Sequence, residues 1–346
     1  MKNNNHQKLL LIGLIISVIN INVVFCAAEK DTIPAKKDKG KFFANVYTGY
    51  YYNFNEHKTP VSAFDFPTGL LGYTRKLSDK VSGILIYDVT RTTNFSYPDT
   101  IGITNYFEGS KYTAFLKMGQ INWNINKFLE LNVGQLLNEQ YLTVQDKFWG
   151  YRYIAVTSQE MYRLGMPADF GVRVVFYFFN KKLKNSITCV NGEGPFRYQD
   201  NESKFLISDN IEFMPNDKTI IKLYYDYQFH PDAADVPRMV ISGFAGYKHK
   251  LFKIAGEYNM ILNQNYIEDN NIIDLSFYGA YHFTEKIDIL SRFDYLKNEL
   301  NPQSDGSYFI FGFQYQPVEN FFSSINYRYN DFYDYSQVYV NFGIKF

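Results

Sequence analysis

The sequence predicts an all-β protein: a single transmembrane antiparallel β-barrel of about sixteen strands, with long external loops and short periplasmic turns. Apolar and polar residues alternate with a period of two along most of the chain. Short polar turns recur between pairs of these segments. The chain also holds 31 Tyr, 32 Phe and 2 Trp among 346 residues. Tyr and Phe favour strands, and amphipathic aromatic residues favour membrane interfaces.

The first 28 residues have the order of a secretory signal peptide. A short basic start, "MKNNNHQK", precedes an apolar stretch, and small residues at Cys26 to Ala28 follow it. Cleavage after Cys26 or after Ala28 fits this pattern, and an uncleaved membrane anchor is the alternative. Residues 29–40 form a polar leader, and residues 41–346 form the barrel domain. After cleavage Cys189 has no partner, which excludes a disulfide framework.

The barrel strands are predicted from the alternation. They lie near 42–55, 63–77, 80–95, 111–126, 128–138, 168–180, 183–196, 204–215, 218–230, 238–249, 251–264, 271–283, 286–298, 307–316, 320–332 and 335–346. The alternation changes phase within 111–126, and Asp209 falls on the apolar side of 204–215. We expect a β-bulge in each of these two strands.

Seven tight turns alternate with longer and more variable connections. The turns include "LSDK" at 77–80, "PNDK" at 215–218 and "TEK" at 284–286. This order is typical of hairpins whose tight turns share one end of a barrel. The last segment, "VYVNFGIKF" at 338–346, alternates to its end and is predicted to close the barrel against the first strand.

The apolar face of each strand is predicted to contact lipid. Leu223 and Phe277 then point outward, and their neighbours Tyr224 and Tyr278 point inward toward water. A secreted soluble β-sandwich is the alternative. It accounts for the alternation and the turns, but not for strands of about a dozen residues or for the aromatic excess.

Charge and motif content exclude several classes of function. Lys and Arg number 35, and so do Asp and Glu, so nothing favours nucleic acid. His57, His230, His249 and His282 are scattered without metal-ligand spacing, and no hydrolase or phosphate-loop motif occurs. The sequence therefore predicts neither an enzyme nor a cofactor.

Several segments resemble those of the Gram-negative outer-membrane porins, in particular the β-barrel porin and phosphate-selective porin groups. They are "VYTGYYYNFN" at 46–55, "LKMGQINWN" at 116–124, "LNVGQLLN" at 131–138, "PADFGVRVVF" at 167–176, "VNGEG" at 190–194 and the terminal Phe346. The resemblance implies a channel in the outer membrane, surrounded by lipid and lipopolysaccharide and usually trimeric. It also implies that the third external loop folds inward and that Phe346 is the signal read by the barrel assembly machinery. Unlike the anion-selective members, this chain shows no lysine-rich lumen.

The candidate functional residues follow from loop order and alternation. The longest connection, 138–167, is predicted to constrict the pore, with a surface loop as the alternative. Its candidate residues are Asp146, Lys147, Trp149, Tyr151, Arg152, Glu160 and Arg163. The predicted pore wall carries Lys117, Glu130, Arg173, Lys222, Asp226, Lys253, Glu257, Arg292, Asp294 and Arg328, with Asp88, Asp274 and Asp288 as further acidic candidates. The two signs nearly cancel, which predicts weak charge selectivity.

The predicted function is therefore passive diffusion of small hydrophilic solutes and ions through a water-filled pore. Two alternatives stay open. An outer-membrane barrel enzyme such as a phospholipase would need a serine beside a histidine, for which His230 is the candidate. A surface-interaction barrel would act through its external loops.

Overall fold

The computed structural model describes residues 39–55, 57, 60–91, 95–98, 104–107, 112–195, 205–228, 236–300, 305–331 and 334–346. The predicted signal peptide and all of the leader before residue 39 lie outside these residues. The predicted barrel domain falls almost entirely within them.

Eighteen strands are present in the described residues. They are β1 (Lys41–Asn53), β2 (Ser62–Lys76), β3 (Val81–Arg91), β4 (Phe95–Pro98), β5 (Thr104–Phe107), β6 (Tyr112–Asn124), β7 (Leu129–Leu137), β8 (Ala168–Phe178), β9 (Leu183–Val190), β10 (Leu206–Asn216), β11 (Thr219–Gln228), β12 (Arg238–Lys248), β13 (Phe252–Leu262), β14 (Ile272–His282), β15 (Ile287–Asn298), β16 (Gly306–Val318), β17 (Phe321–Asn330) and β18 (Tyr335–Lys345). All sixteen predicted strands are confirmed. The extra pair, β4 and β5, forms a separate two-stranded sheet that the sequence did not predict.

The other sixteen strands form one closed antiparallel barrel, which confirms the predicted fold class. Each strand pairs with its neighbours in sequence, and β3 pairs with β6 across the β4–β5 hairpin. The barrel closes where β1 pairs with β18, from Asn45 opposite Lys345 to Asn53 opposite Gln337. Beyond that register the amide of Phe346 donates to the carbonyl of Ala44 at 2.8 Å. Closure leaves no open sheet edge, as a strand structure in hydrocarbon requires.

The burial pattern is the inverse of that in a water-soluble domain. Leu223 and Phe277 are 59% and 57% exposed on the outer face, as predicted from the alternation. On the inner face Lys222, Asp226 and Ser276 are 1%, 0% and 0% exposed. Continuous apolar exposure outside and polar burial inside are what a membrane-spanning barrel needs.

Of the two predicted bulges, one is present and one is absent. The register between β3 and β6 shifts after Ile86, so that Lys117 turns inward while Ile121 and Trp123 keep facing out. In β10, by contrast, the pairing with β9 runs unbroken from Leu206 to Phe213. The register between β10 and β11 shifts only beyond Phe213, so no bulge lies at Asp209, and the prediction of one there was wrong. Asp209 lies on the outer face, where its carboxylate accepts a hydrogen bond from the side-chain amide of Asn185.

The largest boundary difference is at β9, predicted to reach residue 196. The strand ends at Val190 because Gly192 and Gly194 adopt positive φ angles of 96° and 83°, which end extended pairing. The carboxylate of Asp169 accepts a hydrogen bond from the amide of Gly192. The "PADFG" and "VNGEG" segments therefore meet at the same end of the neighbouring strands β8 and β9.

The prediction that Tyr224 and Tyr278 face water was wrong. Both point inward, but they are only 2% and 6% exposed, because the connection 138–167 fills this side of the barrel. That connection contains two short helices, α1 (Gln145–Trp149) and α2 (Ser158–Met161). Within the described part of the chain, no helix is long and apolar enough to cross a membrane.

Candidate functional site

The connection between β7 and β8, residues 138–167, lies inside the barrel; we call it the inner loop. Its apolar residues Phe148, Trp149 and Tyr151 are at most 3% exposed and pack against the wall residues Phe244 and Tyr278. The Trp149 ring meets the rings of Tyr151 and Tyr278 edge-on at centroid distances of 5.2 and 5.3 Å. Aromatic burial of this extent holds the inner loop against one side of the barrel wall.

Basic side chains of the wall donate hydrogen bonds to backbone carbonyls of the inner loop and its two ends. The residues and acceptors are Arg173 to Leu137 (2.6 Å), Lys222 to Glu139 and to Gln140 (3.0 Å), Lys253 to Phe148 (3.1 Å) and Trp149 (2.6 Å), Arg328 to Ile154 (2.6 Å), Arg292 to Val156, and Arg238 to Leu164 (2.7 Å). Five of these six cations were predicted from alternation as pore-wall charges. They satisfy carbonyls that would otherwise lie buried without a partner.

Acidic wall residues accept hydrogen bonds from side chains of the inner loop. Asp288 accepts from the Tyr151 hydroxyl at 2.8 Å, Asp274 from Ser158 at 2.8 Å, and Glu257 from Gln159 at 2.9 Å. Asp294 instead pairs with Arg292 within the wall, and both are buried. Burial and then the charge of Asp288 raise the pKa of Tyr151, so its hydroxyl stays protonated and keeps donating.

Glu139, at the start of the inner loop, was not singled out from the sequence. It is 2% exposed, and its carboxylate contacts Lys184 at 2.7 Å, Ser186 at 2.7 Å and Arg173 at 3.1 Å. Burial alone would raise its pKa, but Arg173 and Lys184 outweigh that effect and hold the pKa below its usual value. The only sequence signal was its position as the first charged residue of the longest connection.

The inner loop also carries a cluster of three charges that bond to one another. Arg152 donates to Asp146 at 2.9 Å and to Glu160 at 2.6 Å. All three side chains are partly exposed, at 11% for Arg152 and 19% for each carboxylate. They are therefore the predicted loop charges that remain in reach of solvent inside the barrel.

Neighbouring charges set the pKa values of Glu160 and Arg152 in this cluster. Burial alone would raise the pKa of Glu160, but Arg152 above all, together with Lys117 and Arg292, lowers it below its usual value. Burial likewise opposes the charge of Arg152, yet Glu160 and Asp146 raise its pKa well above normal. Glu160 and Arg152 therefore stay charged through the ordinary pH range, and Lys117 of β6 contributes to the lowered pKa of Glu160.

Strands β2, β3 and β6 form the part of the wall that carries Lys117; we call it the open wall. Its charges are Asp88 and Lys117, which form an ion pair at 2.6 Å. Around that pair the interior positions Leu70, Ile84 and Ile86 are only half-buried. The hydrogen bonds of the inner loop described above end on β8–β17 or within the loop itself, so none of them ends on the open wall.

The remaining predicted residues belong neither to the charge cluster of the inner loop nor to the open wall. Glu130 faces inward and accepts from Asn132 at 2.7 Å and from Tyr177 at 3.0 Å. Asp226 accepts from Tyr224 and from Arg238. Arg163 is exposed at the long-connection end of the inner loop. Lys147 is exposed at the other end, where it lines a recess of about 530 Å³ together with Lys181, Lys182, Lys218 and Lys248.

Among the described residues, no group of three or more His, Cys, Asp or Glu side chains is arranged to hold a metal ion. The candidate site is thus the barrel interior, lined by charged and apolar side chains, with the inner loop on one side and the open wall on the other.

Comparison with known proteins rests on structure alone. No protein-family model matches the chain, and no curated sequence matches it. The outer membrane channel DcaP of Acinetobacter baumannii superposes with a TM-score of 0.64 at 10% identity, over 90% of this chain and 98% of that one. Salmonella typhi OmpF, solved with daunomycin, gives 0.62 at 13% identity, over 89% of this chain and 98% of that one.

The trimer form of OmpT, an outer membrane protein of Vibrio cholerae, gives a TM-score of 0.57 at 8% identity, over 90% of this chain and all (100%) of that one. Identities this low establish a fold and leave the function open. With its closed barrel, apolar outer face and inner loop, the chain has the fold of the outer-membrane porins.

Proposed function

We propose that this protein is an outer-membrane porin that lets small hydrophilic solutes and ions diffuse passively between the inner loop and the open wall. The observation that carries the proposal is the position of the inner loop. It is bonded to one side of the barrel interior and leaves Leu70, Ile84 and Ile86 of the open wall only half-buried. A loop held in this way narrows a channel without closing it.

The charges along the passage support weak selectivity. The cluster of Asp146, Arg152 and Glu160 carries one net negative charge, and the pair of Asp88 and Lys117 carries none. The two groups face each other across a low-dielectric barrel, where their fields act on a passing ion. We expect a mild preference for cations rather than a dedicated anion channel.

The direct test is single-channel recording in planar bilayers. Purified protein should give stepwise conductance, and the reversal potential under a salt gradient should indicate slight cation preference. Absence of conductance steps from folded protein would contradict the proposal.

A phospholipase-like enzyme is the alternative with one observation in its favour. His282 contacts Asp288 at 2.6 Å, which is the kind of pair that orients a general base. Asp288, however, also accepts from Tyr151 and Gln314, and these contacts tie the pair to the inner loop. His230, the histidine first considered, lies outside the described residues. Release of fatty acid from phospholipid by the purified protein, lost in His282→Ala, would favour this alternative.

We further propose that Phe346 serves barrel assembly and that the protein forms a homotrimer. The backbone of Phe346 pairs with Ala44 across the closing seam, and its side chain is 72% exposed. We expect Phe346→Asp to lower the amount of assembled barrel in the membrane, measured as heat-modifiable protein on gels, whereas removal of residues 29–38 leaves it unchanged. The trimer proposal rests on the trimer form of the similar OmpT, and crosslinking in membranes tests it.

A further inference from the structure

The two rims of the barrel carry opposite charge. The short links between barrel strands are residues 77–80, 125–128, 179–182, 217–218, 249–251, 283–286 and 319–320, and together they hold seven basic and four acidic residues. The long connections at the other rim, apart from the inner loop, are residues 54–61, 92–111, 191–205, 229–237, 263–271, 299–305 and 331–334. The described residues among them hold seven acidic residues and no basic one. Electrostatic attraction of an anionic surface would therefore be confined to the short-link rim.

At the short-link rim, lysines stand next to apolar side chains that are exposed on the outside of the barrel. Five of the seven links contain both. The apolar members are Leu77, Phe128, Phe179, Leu251 and Phe283, which are 65%, 57%, 73%, 45% and 65% exposed. The lysines of the same links are Lys80, Lys127, Lys181, Lys250 and Lys286, all exposed. Apolar exposure at this level places these links at the depth where acyl chains meet headgroups.

These lysines are not neutralised by the protein itself. Within the described residues none of the five forms an ion pair. Lys127 and Lys181 lie instead over the rings of Phe128 and Tyr177, at 4.8 and 5.1 Å. An ammonium group beside an exposed aromatic ring at a membrane interface is positioned to bind a lipid phosphate.

We propose that the short-link rim binds anionic phospholipid headgroups of the leaflet that surrounds it. Each of these five links would supply one ammonium group for a phosphate and one apolar side chain for the upper part of the acyl chains. The acidic opposite rim has no such affinity, so the bound lipid belongs to one leaflet. The inference does not depend on conduction, and its test needs no open channel.

The position of the two tryptophans makes the test direct. Trp123 is 47% exposed on the outer face, paired with Val81, and the adjacent Asn124 amide donates to the carbonyl of Lys80 at 2.7 Å. Lys127 lies in the next link along the chain. Trp149 is 1% exposed inside the barrel, where lipid does not reach. Quenching of tryptophan fluorescence by brominated lipid therefore reports the lipid composition around Trp123.

The experiment compares folded protein in vesicles that contain brominated phosphatidylglycerol or brominated phosphatidylcholine at equal mole fraction. We expect an excess of anionic lipid around Trp123 that is roughly fivefold, the size expected for one lysine near a membrane surface. The double variant Lys80→Gln/Lys127→Gln should lose the excess. The control Lys297→Gln, at the long-connection rim of β15, should keep it. Gel mobility with and without heating verifies that each variant is folded.

Two outcomes would overturn the proposal: equal quenching by both lipids, or an excess that persists in the double variant. Salt separates lipid binding from a site for free phosphate. Sodium chloride at about 1 M, where the screening length falls to about 3 Å, should weaken the excess. Sodium phosphate at the same ionic strength should act no more strongly than chloride, and a stronger effect would indicate a small-anion site instead of a lipid surface.

Discussion

The covered wall of the barrel, β8–β17, and the open wall, β2, β3 and β6, use the same residue types for different purposes. On the covered wall Arg292 is 1% exposed, bonds to Asp294 and donates to the carbonyl of Val156. On the open wall Lys117 pairs with Asp88 and contributes to the lowered pKa of Glu160. A cation on the inner face of a barrel therefore supports a loop or faces the solute, depending on what lies opposite.

The comparison explains why a count of wall charges is a poor measure of selectivity. Most of the charged residues on the covered wall form hydrogen bonds with the inner loop. The basic residues donate to its carbonyls, and the acidic residues accept from its hydroxyl and amide groups. Only the few charges beside the passage remain to act on ions. Each prediction below tests this difference between the covered wall and the open wall.

Deleting Phe148 to Tyr153 should have the largest effect. These residues fill the space against the covered wall, and Arg152 organises the charge cluster. We expect a marked rise in single-channel conductance and entry of larger solutes, measured in bilayers and by liposome swelling. Unchanged conductance and size limit would show that the inner loop does not bound the passage.

Arg292→Gln should destabilise the barrel by about 3–5 kcal/mol, because it leaves the fully buried Asp294 without its partner. Lys117→Gln on the open wall should cost less, because Asp88 loses a single contact at 2.6 Å where Asp294 loses hydrogen bonds to both carboxylate oxygens, and it should instead increase cation preference. Unfolding in denaturant and reversal potentials measure the two effects. Equal destabilisation by both variants would remove the distinction between the walls.

Leu223→Arg should destabilise the barrel by about 2–4 kcal/mol if Leu223 lies at the bilayer midplane, because its side chain is 59% exposed to lipid. The matched inward control is Ile84 on the open wall. The inward neighbour Tyr224 is unsuitable because it is buried against the inner loop. Ile84→Arg should be much milder. Similar damage at both positions would contradict the assignment of the open wall to water.

Arg152→Gln should have the smallest effect on stability but a distinct pH dependence. In the native protein the pKa of Glu160 is lowered, so its ion pair contributes fully above the ordinary glutamate pKa, about 4.3, and is lost only as pH falls below that value. Without Arg152, burial acts with less opposition and raises the pKa of Glu160. Cation preference should therefore be stronger in the variant near neutral pH and should decline at a higher pH than in the native protein. Reversal potentials across a pH series test this, and identical profiles would exclude the pairing.

Local pattern was enough to predict the strands, since alternation with a period of two reports which face of a strand meets hydrocarbon. It identified all sixteen barrel strands and the inward direction of Lys222, Lys253, Arg292 and Arg328. It also indicated the irregularity in β6, because the change of phase around Lys117 is visible in the residues themselves. It could not distinguish a bulge at Asp209 in β10 from an unbroken strand with Asp209 facing outward, because both structures fit the same residue pattern. Only the pairing with β9 shows which of the two is present.

What the sequence determined by itself was thus the barrel, its inward and outward faces and the length of the inner loop. Which side of the interior the loop covers was decided only in the tertiary structure. The contacts responsible join residues more than a hundred positions apart, such as Lys253 with Trp149 and Arg328 with Ile154. A strand pattern specifies that such a side chain points inward, but its partner is set by closure of the barrel, which brings distant strands around the same interior.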